Sequence, residues 1–374
     1  IGRRTLKTAT TAQACIAIGD QAMQYTPAGV NISGVVAIGI AALNDAPNLS
    51  TNANDSVAIG TGAGTNSTGL AGEFVVIGAY AGHKMGGTAI THIGFNAGQY
   101  ASGSYNTFLG HSAGKGGTTS APYSSGTFNT FMGYQSGKAF TSGSENTAMG
   151  VTSLAALTSG GRNTALGTRA GLVLTEGSEN VFVGKDAGDS ATVINEAVLI
   201  GHNAGHTIST STGVDGTVGI GAEALASLTI GGQNVAIGYE ALEALTEGYN
   251  NVALGYQAGT SISSTTSTDN TIVGDRAGTG GSGVMAYCVA LGSGALNGTG
   301  TRNSLMNTAV GMNSMGGSFG GTVNYNTAVG GNTMTGALNA ANYNVAVGYT
   351  TLQNLTTGDN NVALGYQAGY SLTS

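Results

Sequence analysis

The residues of this sequence that come closest to forming a catalytic site surround a serine between two glycines. The stretch 110–114, Gly-His-Ser-Ala-Gly, matches the G-x-S-x-G pattern of a nucleophile elbow, whose serine attacks an acyl group. That chemistry needs a strand-to-helix turn and a histidine and an acid beside the serine. Here both glycines are columns of a repeat, and Ser112 stands where Gln135 and Gln257 stand in other copies. The pattern is therefore interpreted as repeat sequence, and no catalytic residue is assigned.

Histidine and cysteine are the next candidates, because both can bind metals. Among the five histidines, His92 alone puts a titratable group in a repeat column that is otherwise apolar. Three copies of His92 on a common axis could bind a metal or an anion, but a hydrogen-bonded histidine in an irregular coil is the simpler interpretation. Cys15 and Cys288 lie fifteen repeat copies apart, too far for an intrachain disulfide. No cofactor is assigned.

A short repeat must position all of these residues. Its clearest form, Asn-Val-Ala-Leu-Gly-Tyr-Gln-Ala-Gly, occurs at 251–259 and again at 361–369. With its first glycine as an anchor, twenty copies about 18 residues apart make residues 1–374 a single repeat domain. The copies within 1–105 are less regular than those within 106–374. The anchors are Gly19, Gly39, Gly60, Gly78, Gly94, Gly110, Gly133, Gly150, Gly167, Gly184, Gly201, Gly221, Gly238, Gly255, Gly274, Gly292, Gly311, Gly330, Gly348 and Gly365.

The columns beside the anchor predict the fold. The residue before the anchor is aliphatic in every copy, and the residue three before it is Val, Ile or Thr. Side chains two apart share one face of a strand, so these positions predict a strand with an aliphatic face. Coils this short that turn back at fixed glycines predict an all-β fold, a parallel β-solenoid (β-roll) of about twenty coils. At about 4.8 Å per coil, such a rod would be roughly 95 Å long.

Asparagine occupies the position four residues before the anchor in twelve copies. Asn tolerates unusual backbone angles and bonds its own local backbone at turns, and stacked amides can also pair along a fibre axis. We therefore predict a structural turn ladder formed by Asn106, Asn129, Asn146, Asn163, Asn180, Asn234, Asn251, Asn270, Asn307, Asn326, Asn344 and Asn361.

Alanine dominates the position two residues before the anchor, on the strand face opposite the aliphatic pair. Because both faces are then apolar, the sequence resembles strands that are buried on both sides. A coil of about 17 residues encloses only a thin core, so the second face is predicted to pack against another copy of the chain. This oligomer-interface strip is predicted to contain Ala148, Ala165, Ala236, Ala253, Ala309, Ala328, Ala346 and Ala363.

Charge and loop length limit the possible partners. Only 8% of the residues are charged and the net charge is −7, which argues against a nucleic-acid partner. No run of 18 apolar residues is present, so membrane insertion is not expected. The interval from Gly110 to Gly133 is 23 residues long, and its extra residues, 115–128, could carry recognition groups such as Tyr123. A tyrosine column one residue after the anchor could bind a glycan or simply stack.

Two stretches carry a resemblance to known fibre proteins. Residues 234–241, Asn-Val-Ala-Ile-Gly-Tyr-Glu-Ala, resemble the head repeats of trimeric autotransporter adhesins. Residues 357–368, Thr-Gly-Asp-Asn-Asn-Val-Ala-Leu-Gly-Tyr-Gln-Ala, resemble the fibre repeats of phage tail proteins. The resemblance implies a left-handed roll, a homotrimer and an attachment role outside the cell or on a virion surface. The adhesin repeat is usually shorter, and this sequence shows no stalk, coiled coil or membrane anchor.

The expected function is that of a structural extracellular fibre shaft for attachment to a surface or host. Its partners would be further copies of itself and a cell-surface glycan or receptor. The alternative is a filament protein that polymerises end to end. A solenoid enzyme is disfavoured because carboxylate pairs are scarce. Ice binding is set aside because the threonines three before the anchor are expected to face inward.

Overall fold

The computed structural model describes residues 2–6, 11–25, 31–44, 54–67, 72–120, 122–208 and 214–374. It divides into two compact units, Ile1–Lys185 and Asp186–Ser374. The described residues form short strands joined by turns and bends, without a helix. The strands are β1 (Thr11–Gln13), β2 (Ile16–Ile18), β3 (Asn31–Ser33), β4 (Val36–Ile38), β5 (Val57–Ile59), β6 (Phe74–Ile77), β7 (Ile90–Ile93), β8 (Thr107–Leu109), β9 (Thr130–Met132), β10 (Thr147–Met149), β11 (Thr164–Leu166), β12 (Val181–Val183), β13 (Val198–Ile200), β14 (Val218–Ile220), β15 (Val235–Ile237), β16 (Val252–Leu254), β17 (Thr271–Val273), β18 (Met285–Ala286), β19 (Val289–Leu291), β20 (Ser304–Leu305), β21 (Thr308–Val310), β22 (Val323–Asn324), β23 (Thr327–Val329), β24 (Val345–Val347) and β25 (Val362–Leu364).

Each unit is built on one row of parallel strands, in which a strand pairs with the equivalent strand of the next coil. The row runs from β2 through β4 to β12 in the N-terminal unit. In the C-terminal unit it contains β13 to β17, β19, β21 and β23 to β25. Pairing keeps the repeat in register, so that Ala148 lies opposite Ala165 and Ala346 opposite Ala363. The predicted all-β parallel β-solenoid is confirmed.

Shorter rows stack beside the main one. Strand β1 pairs with β3 in the N-terminal unit, and β18, β20 and β22 form a second row in the C-terminal unit. Both rows are parallel and precede the main strands of their coils by only a few residues. They therefore continue the same coil-on-coil stacking around the turn that enters each main strand.

The core lies on the face of the main strands that carries the middle residue. Ala148, Ala236 and Ala328 are completely buried, whereas their neighbours in the same strands are half-buried or exposed. The oligomer-interface strip predicted above is therefore wrong. Most of its alanines, Ala148, Ala165, Ala236, Ala253, Ala309, Ala328 and Ala346, have no exposed surface, because they fill the interior of their own chain.

The prediction exchanged the inward and outward faces of the strand for a simple physical reason. Both strand faces are apolar, so alternation alone cannot say which of them points inward. The enclosed face is the one that meets the small residue three after the anchor, such as Ala170 or Ala241, which is also fully buried. The same exchange turns the threonines three before the anchor outward. Thr107 is exposed, so the prediction that these threonines face inward is wrong.

The anchor glycines are fixed by the close approach of successive coils. Gly150 has a φ of 136°, and a Cβ placed on it would lie 2.4 Å from the carbonyl oxygen of Gly167. A side chain would collide with backbone, which cannot yield without separating the coils. The glycine column is therefore a condition for stacking at this spacing.

Candidate functional surfaces

The buried asparagines form a hydrogen-bonded ladder within each unit. The backbone N–H of Asn163 donates to Oδ1 of Asn146 at 2.9 Å, and the Asn163 amide donates to the same oxygen at 3.0 Å. The Asn163 amide also donates to the carbonyl of Gly177 at 2.8 Å. None of the twelve ladder asparagines has a positive φ; the residue before them does, as at Arg162 with a φ of 59°. The column is thus explained by buried hydrogen bonding rather than by tolerance of the left-handed conformation.

The ladder changes where another residue replaces asparagine. At Cys288 the backbone N–H still donates to Oδ1 of Asn270 at 3.0 Å, and the thiol contacts the carbonyl of Ser304 at 3.2 Å. Burial raises the pKa of that thiol, which keeps it protonated and unreactive. At Thr217 the side-chain hydroxyl is buried without a hydrogen-bond partner among the described residues. These two positions mark local weaknesses of the ladder.

His92 lies inside the solenoid, in the column of buried middle residues. Its ring stacks on Phe108 at 4.7 Å between centroids, and Phe108 stacks in turn on Phe131 at 5.1 Å. Neither ring nitrogen of His92 has a hydrogen-bond partner among the described residues, and burial lowers its pKa to about 3. His92 therefore replaces an aromatic core residue and cannot meet other copies on an oligomer axis. The metal site considered for His92, with three copies on a common axis, is therefore wrong, because the side chain is buried inside its own chain.

Ser112 and His111 do form a contact, but only as chain neighbours. Oγ of Ser112 lies 3.1 Å from Nδ1 of His111, and Ser112 is 5% exposed with a φ of 56°. A catalytic histidine is oriented by a carboxylate on its second nitrogen. The sequence has no Asp or Glu between Glu73 and Glu145, so the coils around Ser112 supply none. The serine fills an ordinary turn position.

The outward face of the main row is an aliphatic stripe. The residues three before each anchor lie beside it and are Val, Ile or Thr. The stripe itself consists of the residues one before each anchor, for example Leu109 and Met149 in the N-terminal unit and Leu254 and Leu291 in the C-terminal unit. Their exposed fractions are 39%, 41%, 44% and 45%. Since equivalent residues pair in register, as Ile237 does with Leu254, the exposed side chains form a continuous strip along each unit.

An aromatic column runs beside this aliphatic stripe, one residue after the anchor. Tyr239 stacks on Tyr256 with 5.4 Å between ring centroids, and Tyr349 on Tyr366 with 6.2 Å. A hydrogen bond to Glu240 raises the pKa of Tyr239, while hydrogen bonds from Gln257 and Tyr239 lower the pKa of Glu240. The tyrosines of this column are between 44% and 72% exposed, so the column broadens the apolar surface of the stripe.

The described residues contain neither a cluster of metal-binding side chains nor a helix of membrane-spanning length. Over that part of the chain, no group of three or more His, Cys, Asp or Glu side chains could hold a metal ion. Nor does that part contain a helix long and apolar enough to cross a membrane.

No protein-family model matches the chain, and no curated protein matches it either.

Proposed function

We propose that this chain is a non-catalytic segment of an extracellular or virion-surface fibre, assembled as a homotrimer and used for attachment. The observation that carries the proposal is the exposed aliphatic stripe, which follows the parallel row through each unit. A monomeric soluble protein rarely exposes a contiguous apolar surface of this kind. A second copy of the same stripe is the economical cover, since it matches the periodicity along the row.

The resemblance to adhesin and tail-fibre repeats supports three copies and a left-handed roll. A solenoid stacked through buried amides and in-register strands is stiff, which suits a shaft that holds a binding surface away from its support. A filament of indefinite length, the alternative, would need end-to-end stacking in addition to the lateral contact.

The mass of the assembly in solution, measured together with negative-stain electron microscopy, tests the proposal. Discrete particles of three chains are the expected result. Continuous filaments would favour the alternative, and single chains at micromolar concentration would contradict both.

A matched pair of variants tests which face makes the contact. Substituting Ile237→Lys, Leu254→Lys and Val273→Lys together places three charges on the outward face of neighbouring coils. We expect this variant to stay folded, as judged by circular dichroism, but to dissociate into single chains. Ala253→Lys is the control, because the same charge on the buried face should unfold the coil instead. If the triple variant kept the full assembly mass, the stripe would not be the interface.

A further inference from the structure

One segment of the chain is free of acidic residues and carries three lysines. Residues 74–144 contain no Asp or Glu but include Lys84, Lys115 and Lys138, within a chain whose net charge is −7. Three of the five lysines of the chain therefore lie in four consecutive coils. Because no acidic residue lies between them along the chain, this segment is a local region of positive charge on an otherwise acidic protein.

Two tyrosines lie against these lysines. The rings of Tyr100 and Tyr123 stack with 6.2 Å between centroids and 26° between planes. Nζ of Lys84 lies 5.8 Å from the centre of the Tyr100 ring and 5.7 Å from that of Tyr123, and Nζ of Lys115 lies 5.8 Å from that of Tyr100. These distances are at the outer limit of a cation–π contact, and all four side chains are partly exposed to solvent. We name Lys84, Tyr100, Lys115 and Tyr123 the Lys–Tyr patch.

The long insertion of this region builds the patch by returning onto the preceding coil. The backbone N–H of Tyr100 donates to the carbonyl of Lys115 at 2.8 Å, and that of Ser124 donates to the carbonyl of Tyr100 at 2.9 Å. Ala101 and Ser124 form a parallel bridge, which brings Tyr123 beside Tyr100. The N–H of Gly116 donates to the carbonyl of Lys138 at 3.2 Å, so the third lysine lies on the adjoining coil.

The three lysines of this region are not neutralised by carboxylates of the described residues. No carboxylate lies within ion-pair distance of Lys84, Lys115 or Lys138 in the part of the chain that the structure describes. Arg162, by contrast, forms an ion pair with Glu179. Arg276 also lies over a tyrosine, Tyr256, at 5.6 Å, and its Nε donates to Oε1 of Gln257 at 3.4 Å.

The backbone φ of Lys84 is unusual for a residue other than glycine. Its φ is 93°, whereas the other non-glycine residues with a positive φ lie between 47° and 64°. Gly116 has a φ of 95° at the equivalent position, six residues after its own anchor. A lysine is therefore held where glycine is the unstrained choice, and such strain concentrates at binding sites.

We propose that the Lys–Tyr patch, with Lys138, binds an acidic polysaccharide whose sugar rings carry carboxylate groups. The tyrosine rings offer apolar surface against which sugar rings stack, and the unpaired ammonium groups bind the carboxylates. A nucleic acid is disfavoured, since three cations neutralise few phosphates and the rest of the chain repels them. This inference rests on the proposed attachment function, for which it supplies the chemical class of the receptor.

Binding of the full chain to immobilised polygalacturonate and polysialic acid tests the proposal, with neutral dextran and single-stranded oligothymidylate as comparisons. We expect binding to one or both acidic polysaccharides that weakens as salt is added, and none to dextran. The two acidic probes separate a uronic from a sialic acid as the source of the carboxylate. Tighter binding to oligothymidylate than to both polysaccharides would overturn the proposal in favour of nucleic acid.

Variants locate the site. Lys84→Gln, Lys115→Gln and Lys138→Gln combined should weaken binding about tenfold, as expected for three partly exposed ion pairs. Tyr123→Ala should weaken it about threefold to tenfold, the effect of losing one stacking ring. Arg276→Gln, the matched control, should leave binding unchanged.

Equal binding by the triple variant and the parent chain would overturn the site. Circular dichroism and the assembly mass, measured on the same samples, show whether each variant is folded and assembled. If three-chain particles form but no acidic polysaccharide binds, this inference fails and the fibre proposal stands.

Discussion

The coils around Phe108 and Phe131 fill their core from the strand, whereas those around Ala309 and Ala328 fill it from the turn. In the first group a buried ring points inward and the residue four after the anchor is glycine, as at Gly137. In the second group the strand residue is alanine and the turn supplies a buried methionine, Met315 or Met334. In both groups the same interior volume is thus filled by one of two positions, the strand residue two before the anchor or the turn residue four after it.

The two solutions exclude each other sterically. A Cβ added to Gly137 would lie 2.3 Å from the Phe131 ring. The turn backbone itself is the same in both groups, with a φ of 57° at Gly137 and 49° at Met315. Where both positions of a coil are small, its neighbours fill the space: a Cβ on Gly171 would meet Leu154 and Phe182, each at 2.8 Å. Volume, rather than backbone geometry, therefore selects the residue.

Removing the ring in one group should have the largest effect. Phe131→Ala should lower the free energy of unfolding by about 3–5 kcal/mol, because it leaves a cavity next to Phe108 and Phe140. Adding Gly137→Leu to that variant should restore most of the loss, since the chain then has the composition of an alanine coil. Thermal and denaturant unfolding at fixed protein concentration measure both effects.

Gly137→Leu alone is the control for this rescue. It should destabilise the chain, because the new side chain meets the ring that fills the same space. If the double variant were as unstable as the sum of the two single variants, the exchange of volume between the two positions would be disproved.

The asparagine ladder is common to both groups, so breaking it should cost the same in each. Oδ1 of Asn129, in a ring-filled coil, accepts the N–H of Asn146 at 3.0 Å, and Oδ1 of Asn326, in an alanine coil, accepts that of Asn344 at 2.9 Å. Alanine at either position strands a buried N–H, so we expect a loss of about 2–3 kcal/mol from each. Parallel denaturant titrations of the two variants measure the comparison; a difference larger than the experimental error would show that the ladder and the core filling are coupled.

The repeat columns in the sequence were sufficient to predict the solenoid and the asparagine column, because both follow from regular spacing. The strand face that points into the core was predicted wrongly. The inward face could have been identified from two positions whose sizes vary inversely within a coil. Coils with Phe108 and Phe131 on the strand have glycine four residues after the anchor, and those with Ala309 and Ala328 have methionine there. Residues that exchange volume must face the same space, which places the strand residue inside.

The Lys–Tyr patch could be predicted only in part. The insertion and Tyr123 are visible as a long interval between anchors, and the absence of acidic residues from 74–144 is a matter of counting. That Tyr123 lies on Tyr100 depends on how the insertion returns, at the bridge between Ala101 and Ser124. Spacing alone does not specify such a return.

His92 is the polar exception among the ring-filled coils and should make them sensitive to acid. Its pKa is about 3 in the folded chain and near 6.5 when unfolded, so only the unfolded chain gains the proton between these values. Stability should therefore fall as the pH drops below about 6.5, by about 2 kcal/mol at pH 5. His92→Phe should remove this dependence. It should also raise stability at neutral pH, since it eliminates two buried nitrogens that have no hydrogen-bond partner in the described part of the chain.

Unfolding measured from pH 7.5 to pH 4.5 on the parent chain and His92→Phe checks this prediction. The difference between the two proteins isolates His92 from the other titrating groups, and it should widen steadily as the pH falls. A constant difference would mean that His92 does not stay neutral in the folded chain.

The smallest expected effect comes from a substitution that restores the asparagine ladder in one coil. The strand of this coil has a glycine at the inward position, so it contributes no side chain to the core. This coil carries Gly219 on its strand and Leu225 in its turn. Thr217 stands in the ladder, and its buried hydroxyl has no partner among the residues that the structure describes. Thr217→Asn should supply an Oδ1 to the N–H of Asn234 and stabilise the chain by about 1 kcal/mol. Thr217→Val is the control, because it removes the hydroxyl without adding a rung. A shift in thermal midpoint as large for valine as for asparagine would assign the gain to the lost hydroxyl; a larger shift for asparagine would show that the ladder stabilises turn-filled coils as it does ring-filled ones.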